Sequence, residues 1–415
     1  MATIRPFRAI RPVSEKAEKV AALPYDVLNS EEAREVVKGN SYSFLHIDKA
    51  EIDLDSSVSP YDDRVYEKAR ENLQRLMKDE VLVQEEESCL YIYQLTMQGR
   101  SQSGLVVCTS IDEYTDNTIK KHERTRHEKE QDRIRHVDEC NANTGPIFLT
   151  YRTKEEVTKQ ITNWQENHAP IYQFTAEDGV EHVIWKIAEN DVISALVKSF
   201  ENIPSLYIAD GHHRSASAVK VGLMRREQYP NYTGNEEFNF FLSVLFPYDE
   251  LSIWDYNRVV KDLNGLSEEQ FLQQITQYFH VERASVSPYK PTEPHSFGMY
   301  LNNLWYKLTV KEETFDAHDV VKCLDVSILQ DHLLSQVLQI HDPRADARID
   351  FVGGIRGLEE LERLVNLGDY KVAFALYPTS MEDLLEIADA GEVMPPKSTW
   401  FEPKLRSGLF IHSLE

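Results

Sequence analysis

Five consecutive residues near the middle of the chain combine a carboxylate with groups suited to binding phosphate: Asp210, followed by Gly211, His212, His213 and Arg214. The apolar run 206–209 before them predicts a buried strand, and the alanine-rich segment 215–224 after them predicts a helix. The histidines and the arginine are therefore expected in the first turn of a helix, where backbone N–H groups and the helix dipole favour an anion. Arg214 can bind a phosphate with two parallel hydrogen bonds.

The same pattern fits a purely structural turn about equally well. Asp is a common helix N-cap, so Asp210 is either such a cap or a carboxylate that serves catalysis or a metal ion. Adjacent histidines on a helix point about 100° apart, so we do not expect His212 and His213 to share a metal ion.

A second polar segment, 120–133, contains no aliphatic residue and no aromatic one besides histidine. If it is helical, a stripe of basic side chains shares one face: His122, Arg126, Lys129, Arg133 and His136. Such a stretch is usually a solvated helix face, but a basic stripe in an acidic protein also favours a cleft wall that meets an anion. The spacing from His122 to His127 is one residue too long for a His-Glu-x-x-His zinc helix.

The segment 394–409 contains three prolines, which exclude a helix, together with the cations Lys397, Lys404 and Arg406. Its Lys-Ser-Thr sequence lacks the glycines of a P-loop, so that motif is not present. The segment predicts either a stiff basic loop that closes on phosphate or a tail packed by its aromatic residues.

The composition limits the classes of function. The 415-residue chain has a formal charge of −24, which opposes general binding to nucleic acid or to a membrane surface. Its four cysteines form no Cys-x-x-Cys pair, which favours a reducing compartment over a disulfide or zinc framework. No run in the sequence could span a bilayer. We therefore expect a soluble cytoplasmic protein with small-molecule partners, its oligomeric state left open.

Helix and strand patterns alternate irregularly along the chain, which predicts an α+β fold with mixed sheets. The segment 41–47 is predicted as a strand, 324–338 as a helix, and Asn302-Asn303 as the turn of a hairpin. We expect a phosphate-binding core with insertions over residues 1–235. An α+β region over 236–415 is expected to supply the basic loop, with a single interlocked unit as the alternative.

Six motifs together resemble the family known as domain of unknown function 1015 (DUF1015), over nearly the whole chain. They lie at residues 23–27, 122–125, 141–146, 209–214, 256–260 and 394–409. The Asp-Gly-His-His-Arg turn is similar to the phosphate-binding turn of the ParB-like superfamily, which includes free-serine kinases, sulfiredoxin and nucleotide-hydrolysing partition proteins. The resemblance implies a ParB/serine-kinase-like core with large additional segments, in which Gly211, His212, His213 and Arg214 contact nucleotide phosphates.

The lead hypothesis is a phosphotransferase that moves a phosphoryl group from a nucleotide, ATP or ADP, to the hydroxyl of a small metabolite such as free L-serine. In it, Lys397, Lys404 and Arg406 complete the phosphate cage, and Mg²⁺ bridges phosphate oxygens with Asp210 as a metal ligand. Three carboxylates are candidates for the base, in no order: Asp26, Glu123 and Asp210. The candidates for binding the acceptor are His122, Arg124, Arg126, Asn257 and Arg258.

Two alternatives stay open. A non-catalytic or NTP-hydrolysing nucleotide sensor of the ParB-like type would bind nucleotide without transferring a phosphoryl group to an acceptor. A metal-dependent hydrolase that uses the histidines has less support, because no ligand spacing in the sequence indicates a metal site.

Overall fold

The computed structural model describes residues Met1–Glu415, which form two structural units. The first unit contains Met1–Leu251 and Pro403–Glu415, and the second contains Ser252–Glu402. The tail that carries Lys404 and Arg406 thus belongs to the first unit. The border expected between residues 235 and 236 falls inside the first unit, where the strand Phe240–Pro247 pairs with two central strands.

The first unit contains nine α-helices and thirteen strands. The helices are α1 Ala17–Val20, α2 Ser30–Val36, α3 Leu45–Asp48, α4 Asp63–Lys78, α5 Ile111–Thr115, α6 His127–Cys140, α7 Glu155–Asn167, α8 Asn190–Phe200 and α9 His212–Gln228. The strands are β1 Ile4–Arg5, β2 Ile10–Pro12, β3 Leu82–Gln84, β4 Leu90–Met97, β5 Arg100–Ser110, β6 Ile119–Lys120, β7 Ala142–Asn143, β8 Ile147–Tyr151, β9 Tyr172–Thr175, β10 Glu181–Ile187, β11 Leu206–Asp210, β12 Phe240–Pro247 and β21 His412–Ser413. Short 3₁₀ turns lie at Ser14–Lys16, Ala50–Asp53, Glu237–Asn239 and Tyr248–Glu250.

A nine-stranded mixed sheet organises this unit, in the order β6-β11-β8-β12-β5-β4-β10-β9, with β1 beside β5. β11 is parallel to β6 and antiparallel to β8, and β12 is parallel to β8. Apolar side chains of these strands pack with those of α7 and α8, among them Trp164, Leu196 and Phe200. Burial of this continuous core is the main term that holds the sheet and its helices together.

A second apolar core lies under the N-terminal helices and includes residues of α3 and α4 together with Ile411 of the tail. The strand predicted over 41–47 is wrong, because this segment forms a turn followed by α3. Phe44, Leu45 and Ile47 are all buried in that core. A short apolar run does not distinguish a strand from a buried helical turn, and packing decided the outcome here.

The second unit has its own six-stranded antiparallel sheet, in the order β15-β17-β16-β19-β14-β18. Its strands are β13 Ile253–Trp254, β14 Tyr256–Val260, β15 Phe279–Arg283, β16 Ser296–Leu301, β17 Leu304–Val310, β18 Ile349–Gly353, β19 Val372–Leu376 and β20 Trp400–Phe401. Its helical segments are α10 Glu268–Ile275, α11 Asp325–Ile328, α12 Leu358–Asn366, α13 Met381–Ala390, a π-helix Leu329–Ser335, and 3₁₀ turns at Glu312–Thr314 and Gly354–Arg356.

Two sequence patterns in this unit had different outcomes. The hairpin predicted at Asn302-Asn303 is confirmed, since both residues adopt the left-handed conformation of a tight two-residue turn, with φ of 50° and 61°. The helix predicted over 324–338 is only partly α-helical, because it continues from α11 as a π-helix.

The predicted α+β class with mixed sheets is confirmed. None of the helices combines the length and the apolar composition that a transmembrane segment needs.

Candidate functional site

The segment 206–228 forms the predicted strand, turn and helix. The pairing of β11 with β8 shifts register between Ile208 and Asp210, so the strand becomes irregular just before the turn. Gly211 is the N-cap of the 17-residue helix α9, with a φ of +100° that favours glycine, and no side chain caps this helix. The interpretation of Asp210 as the cap is therefore wrong. The N-terminal N–H groups of α9, which have no acceptor within the helix, are not satisfied by a capping side chain.

The Asp210 side chain forms an ion pair with Lys404, which the C-terminal tail brings to the turn. Lys404 Nζ donates to Asp210 Oδ2 at 3.0 Å, and the exposed fractions of the two side chains are 13% and 30%. Burial opposes ionisation of this carboxyl, but Lys404 and then Arg214 outweigh it and hold the pKa of Asp210 well below its usual range. Asp210 is therefore a carboxylate at neutral pH, next to two cations.

The guanidinium of Arg214 lies over the turn itself. Arg214 Nη1 donates to the carbonyl of Pro146, which precedes β8. A Cβ added at Gly211 would lie 3.3 Å from the guanidinium carbon of Arg214, so the glycine lets the arginine fold back over the backbone. A cavity of about 30 Å³ borders Arg214, enough for about two water molecules, and its wall includes Arg133, Asp48 and Thr144.

Two histidines that are 90 residues apart in sequence meet at the turn. The rings of His122 and His212 lie with centroids 4.4 Å apart and are nearly perpendicular. Burial lowers the pKa of His122 to about 4 and holds the pKa of His212 well below its usual value, with Asp210 opposing both shifts. Both imidazoles are therefore neutral at pH 7, and His212 adds no positive charge to the phosphate site.

His213 faces a different neighbour from His212. Its Nε2 accepts a hydrogen bond of 3.0 Å from the backbone N–H of Arg126. This separation agrees with the expectation that adjacent histidines on a helix do not share a metal ion.

The prediction that residues 120–133 form one helix with a single basic stripe is wrong. Helix α6 begins only at His127, so His122 and Arg126 do not share its face with Arg133 and His136. Instead, β6 pairs in parallel with β11. This pairing brings the residues that follow Lys120 next to the turn at residues 210–214. Arg124 and Arg126 have exposed side chains, and Glu123 is half-buried.

Arg133 and His136, from the predicted stripe, are buried in a polar layer next to the cavity. Arg133 Nε donates to Asp132 at 2.8 Å, and its guanidinium lies 4.1 Å from the centre of the Tyr25 ring. His136 Nε2 is 3.0 Å from the Ile47 carbonyl oxygen. Asp26, the next residue after Tyr25, is exposed in a turn.

The Asp48 side chain completes this layer, and no sequence pattern predicts its role. Its carboxylate accepts a hydrogen bond of 2.8 Å from the hydroxyl of Thr144, and its side chain is buried. The acidic neighbours Asp48 and Asp132 compensate the charge of Arg133. Only their position in the fold shows this, since neither stands in a motif.

Arg406 is buried in the first unit, in a network separate from the contacts of Arg214. Its guanidinium donates to Asp178 and, at 3.3 Å, to His182 Nε2. The His182 ring is in turn 2.8 Å from the hydroxyl of Tyr93. The structure therefore brings Lys404 to the turn and engages Arg406 elsewhere.

The remaining predicted residues lie in the second unit. Asn257 is buried, accepts from the Leu376 backbone N–H at 3.0 Å and donates to Asp255 at 2.6 Å. Arg258 is also buried and donates to the carbonyl of Lys397 at 2.9 Å, and burial lowers its pKa to about 10. These contacts join β14 to β19 and to the loop that carries Lys397.

No curated protein sequence matches this chain. Among solved structures, the chain is similar to a free serine kinase in complex with AMP, at 15% identity and a TM-score of 0.37, over 74% of this chain and 91% of that chain. It is also similar to a conserved hypothetical protein from Pyrococcus furiosus, at 14% identity and a TM-score of 0.36, over 74% and 94% of the two chains. A third structure, SbnI with a C-terminal truncation from Staphylococcus aureus, has 11% identity and a TM-score of 0.41, over 74% and 86%. The family described as "Protein of unknown function (DUF1015)" matches residues 4–327, and the chain therefore belongs to the DUF1015 family.

Proposed function

We propose that the first unit binds the phosphate groups of a nucleotide, ATP or ADP, at residues 210–214 and transfers a phosphoryl group to the hydroxyl of a small metabolite, with free L-serine as the leading candidate. The observation that carries this proposal is the uncapped N-terminus of α9, at which Arg214 and Lys404 both act on Asp210. Two cations held beside helix N–H groups that no side chain caps are an arrangement that recognises phosphate.

The charge distribution supports an anionic ligand. Arg214 and Lys404 place two cations around Asp210, in a chain whose formal charge is −24. Phosphoryl transfer depends mainly on positioning and on neutralising charge on the phosphate oxygens. Arg214 and the helix N–H groups would supply both, and Lys404 would turn from Asp210 towards the phosphate.

The environment of Asp210 argues against its use as the base. A carboxylate whose pKa is held low by two cations has little affinity for the proton of a hydroxyl. Asp210 is better suited to orient Lys404 and to contact Mg²⁺. This leaves Glu123, beside the two histidines, and the exposed Asp26 as candidates for the base.

Mg²⁺ fits this site with few protein ligands. It prefers oxygen ligands and usually keeps several waters or phosphate oxygens, so one carboxylate is sufficient. Lys404 donates to Asp210 Oδ2 and so leaves Oδ1 as the oxygen that would face the ion. Bound Mg²⁺ would neutralise charge on the phosphates.

The proposal is tested by nucleotide binding and by product formation. Isothermal titration with ATP, ADP, CTP and GTP in Mg²⁺ should give one site per chain, and Arg214→Ala should weaken it about 100-fold because two charge-assisted hydrogen bonds are lost. Arg225→Ala, at the other end of α9 where Arg225 pairs with Asp138, is the control and should leave affinity unchanged. Equal affinity in Arg214→Ala and the wild type would refute the phosphate site.

Turnover is measured separately by ³¹P NMR with the bound nucleotide and L-serine. A new phosphomonoester signal that needs both substrates supports the kinase. Nucleotide binding without any transfer to serine or to other hydroxyl compounds would favour the nucleotide-sensing alternative.

A further inference from the structure

Three side chains beside the turn have the composition of a metal site. One potential ligand atom from each of His122, Glu123 and His212 lies within 4.8 Å of the others. We propose that these three residues bind one divalent transition-metal ion of the Mn²⁺, Fe²⁺, Co²⁺ or Zn²⁺ class. This ion is distinct from a Mg²⁺ ion carried in with the nucleotide.

The contacts of His122 give an independent reason for a ligand. His122 is 1% exposed, and neither ring nitrogen makes a hydrogen bond within normal distance and angle limits, so that the Ile208 backbone offers only a weak contact. A buried polar group without a partner costs about 1–3 kcal/mol, so such groups are rare in folded proteins. A metal ion on one ring nitrogen would remove this cost.

The geometry around His212 is compatible with the same ion. Its ring stands at 86° to that of His122, so an edge of one ring faces the other rather than the two stacking. The backbone N–H of His122 reaches His212 Nε2 at 3.5 Å, the limit of a hydrogen bond. A metal ion on that nitrogen would replace this weak contact.

The ligand set suits a transition-metal cation. His122 and His212 are both buried, and imidazole nitrogens are common ligands of such ions. Asp210, which is negatively charged and acts on both rings, would further stabilise a bound cation. Two imidazoles and one carboxylate suit the transition metals, whereas Mg²⁺ prefers oxygen alone.

Three protein ligands would leave coordination positions open for water or a substrate oxygen. Sites with an open position are typical of catalytic rather than structural metals. Because His212 is the first residue of α9, the ion would lie at the same helix end as the phosphate site. A role for the ion in the reaction rests on the proposed function, but binding of the ion does not.

The test is metal binding by the full chain without nucleotide. Protein stripped with EDTA is titrated with Mn²⁺ and Zn²⁺ by calorimetry, and with Co²⁺ while the visible d–d absorption is recorded. We expect one ion per chain, and Glu123→Gln should weaken binding at least about 100-fold, since even residues that only support a ligand contribute 10–100-fold. Glu123→Gln keeps size and is only half-buried, so the variant should fold, which circular dichroism checks.

His127→Ala is the matched control, because His127 is an exposed histidine of the same segment. It should bind the metal as the wild type does. The proposal is overturned if the wild type shows no heat and no d–d bands at about 1 mM metal, if Glu123→Gln binds as tightly as the wild type, or if His127→Ala loses the site.

The outcomes separate this inference from the proposed function. Arg214→Ala should lose nucleotide and keep the metal, since Arg214 is not among the ligands. A protein that binds nucleotide but no transition metal would remove this inference and leave the phosphate site. A protein that binds the metal but no nucleotide would remove the proposed phosphate site and leave this inference standing.

Discussion

The Lys404–Asp210 pair offers the most direct test of the site, because one partner comes from the turn and the other from the tail. Replacing Lys404 with Met keeps the aliphatic stem and removes the charge. Breaking a fully buried ion pair costs about 3–5 kcal/mol, and an exposed pair contributes about 0–1 kcal/mol. The exposed fractions of 13% for Lys404 and 30% for Asp210 place this pair between the fully buried and the exposed case. Lys404→Met should therefore lower the unfolding free energy by about 1–3 kcal/mol.

A double-mutant cycle isolates the pair from other contacts of Lys404. Urea unfolding of the wild type, Lys404→Met, Asp210→Asn and the double variant should give a coupling energy of about 1–2 kcal/mol. The exposed pair Lys38–Glu35, with both side chains 70% exposed, is the control, and its cycle should show no measurable coupling. A coupling for Lys404 and Asp210 no larger than that of the control would refute the ion pair.

Nucleotide affinity in the same four proteins distinguishes two roles of Lys404, contact with phosphate and neutralisation of Asp210. The titrations are run without Mg²⁺, so that the proposed metal contact of Asp210 plays no part. If Lys404 contacts phosphate, Lys404→Met and the double variant should both bind about 10–100-fold more weakly, while Asp210→Asn frees the lysine and keeps affinity. If Lys404 only neutralises Asp210, the double variant should recover both stability and affinity. That second pattern would contradict the assignment of Lys404 to the phosphate cage.

Three further predictions follow from single contacts. Gly211→Ala should lower the melting temperature and weaken nucleotide binding, because a Cβ at φ +100° costs about 1–2 kcal/mol and would press on Arg214; an unchanged melting temperature would contradict this. Arg133→Met should lower the unfolding free energy of the first unit by about 3–5 kcal/mol in urea, because it leaves the buried Asp132 without its cation. A change below about 1 kcal/mol would exclude a role of Arg133 in compensating Asp132. Burial raises the pKa of Asp325 to about 7, so the folded state holds a proton that the unfolded chain releases near its ordinary pKa of 3.8. The unfolding free energy should therefore fall between about pH 4 and pH 7, by at most about 4 kcal/mol, and Asp325→Asn should remove this slope; an equal slope in the variant would assign it to other groups.

Elements that depend on local chemistry could be predicted from the sequence. The apolar run before Asp210 and the alanine-rich run after Arg214 define a strand and a helix, and the intervening glycine adopts the left-handed turn. Asn302-Asn303 forms its turn because asparagine tolerates positive φ. These outcomes depend on residues within a few positions of each other.

The contacts that give the site its chemistry depend on pairing between residues far apart in the chain. The hydrophobic periodicity of the sequence does not show such pairing. His122 reaches His212 because β6 pairs in parallel with β11, and this single pairing over two residues of each strand is too short to leave a pattern in the sequence. Lys404 and Arg406 look equivalent in the sequence. The fold gives them different partners, Asp210 for the first and Asp178 for the second.

The tail explains how a strongly acidic chain places a second cation beside Asp210. Residues after Pro403 return to the first unit, where Ser407 exchanges two backbone hydrogen bonds with Ala22 and Ile411 pairs with Ile10. β21 then pairs with β7, the strand that follows α6. These backbone contacts hold residues 407–413 against the N-terminal segment and β7, so the position of Lys404 does not depend on its ion pair alone. The positive charge that Lys404 brings to residues 210–214 is therefore a property of the folded first unit with its tail, which is why no single segment of the sequence could reveal it.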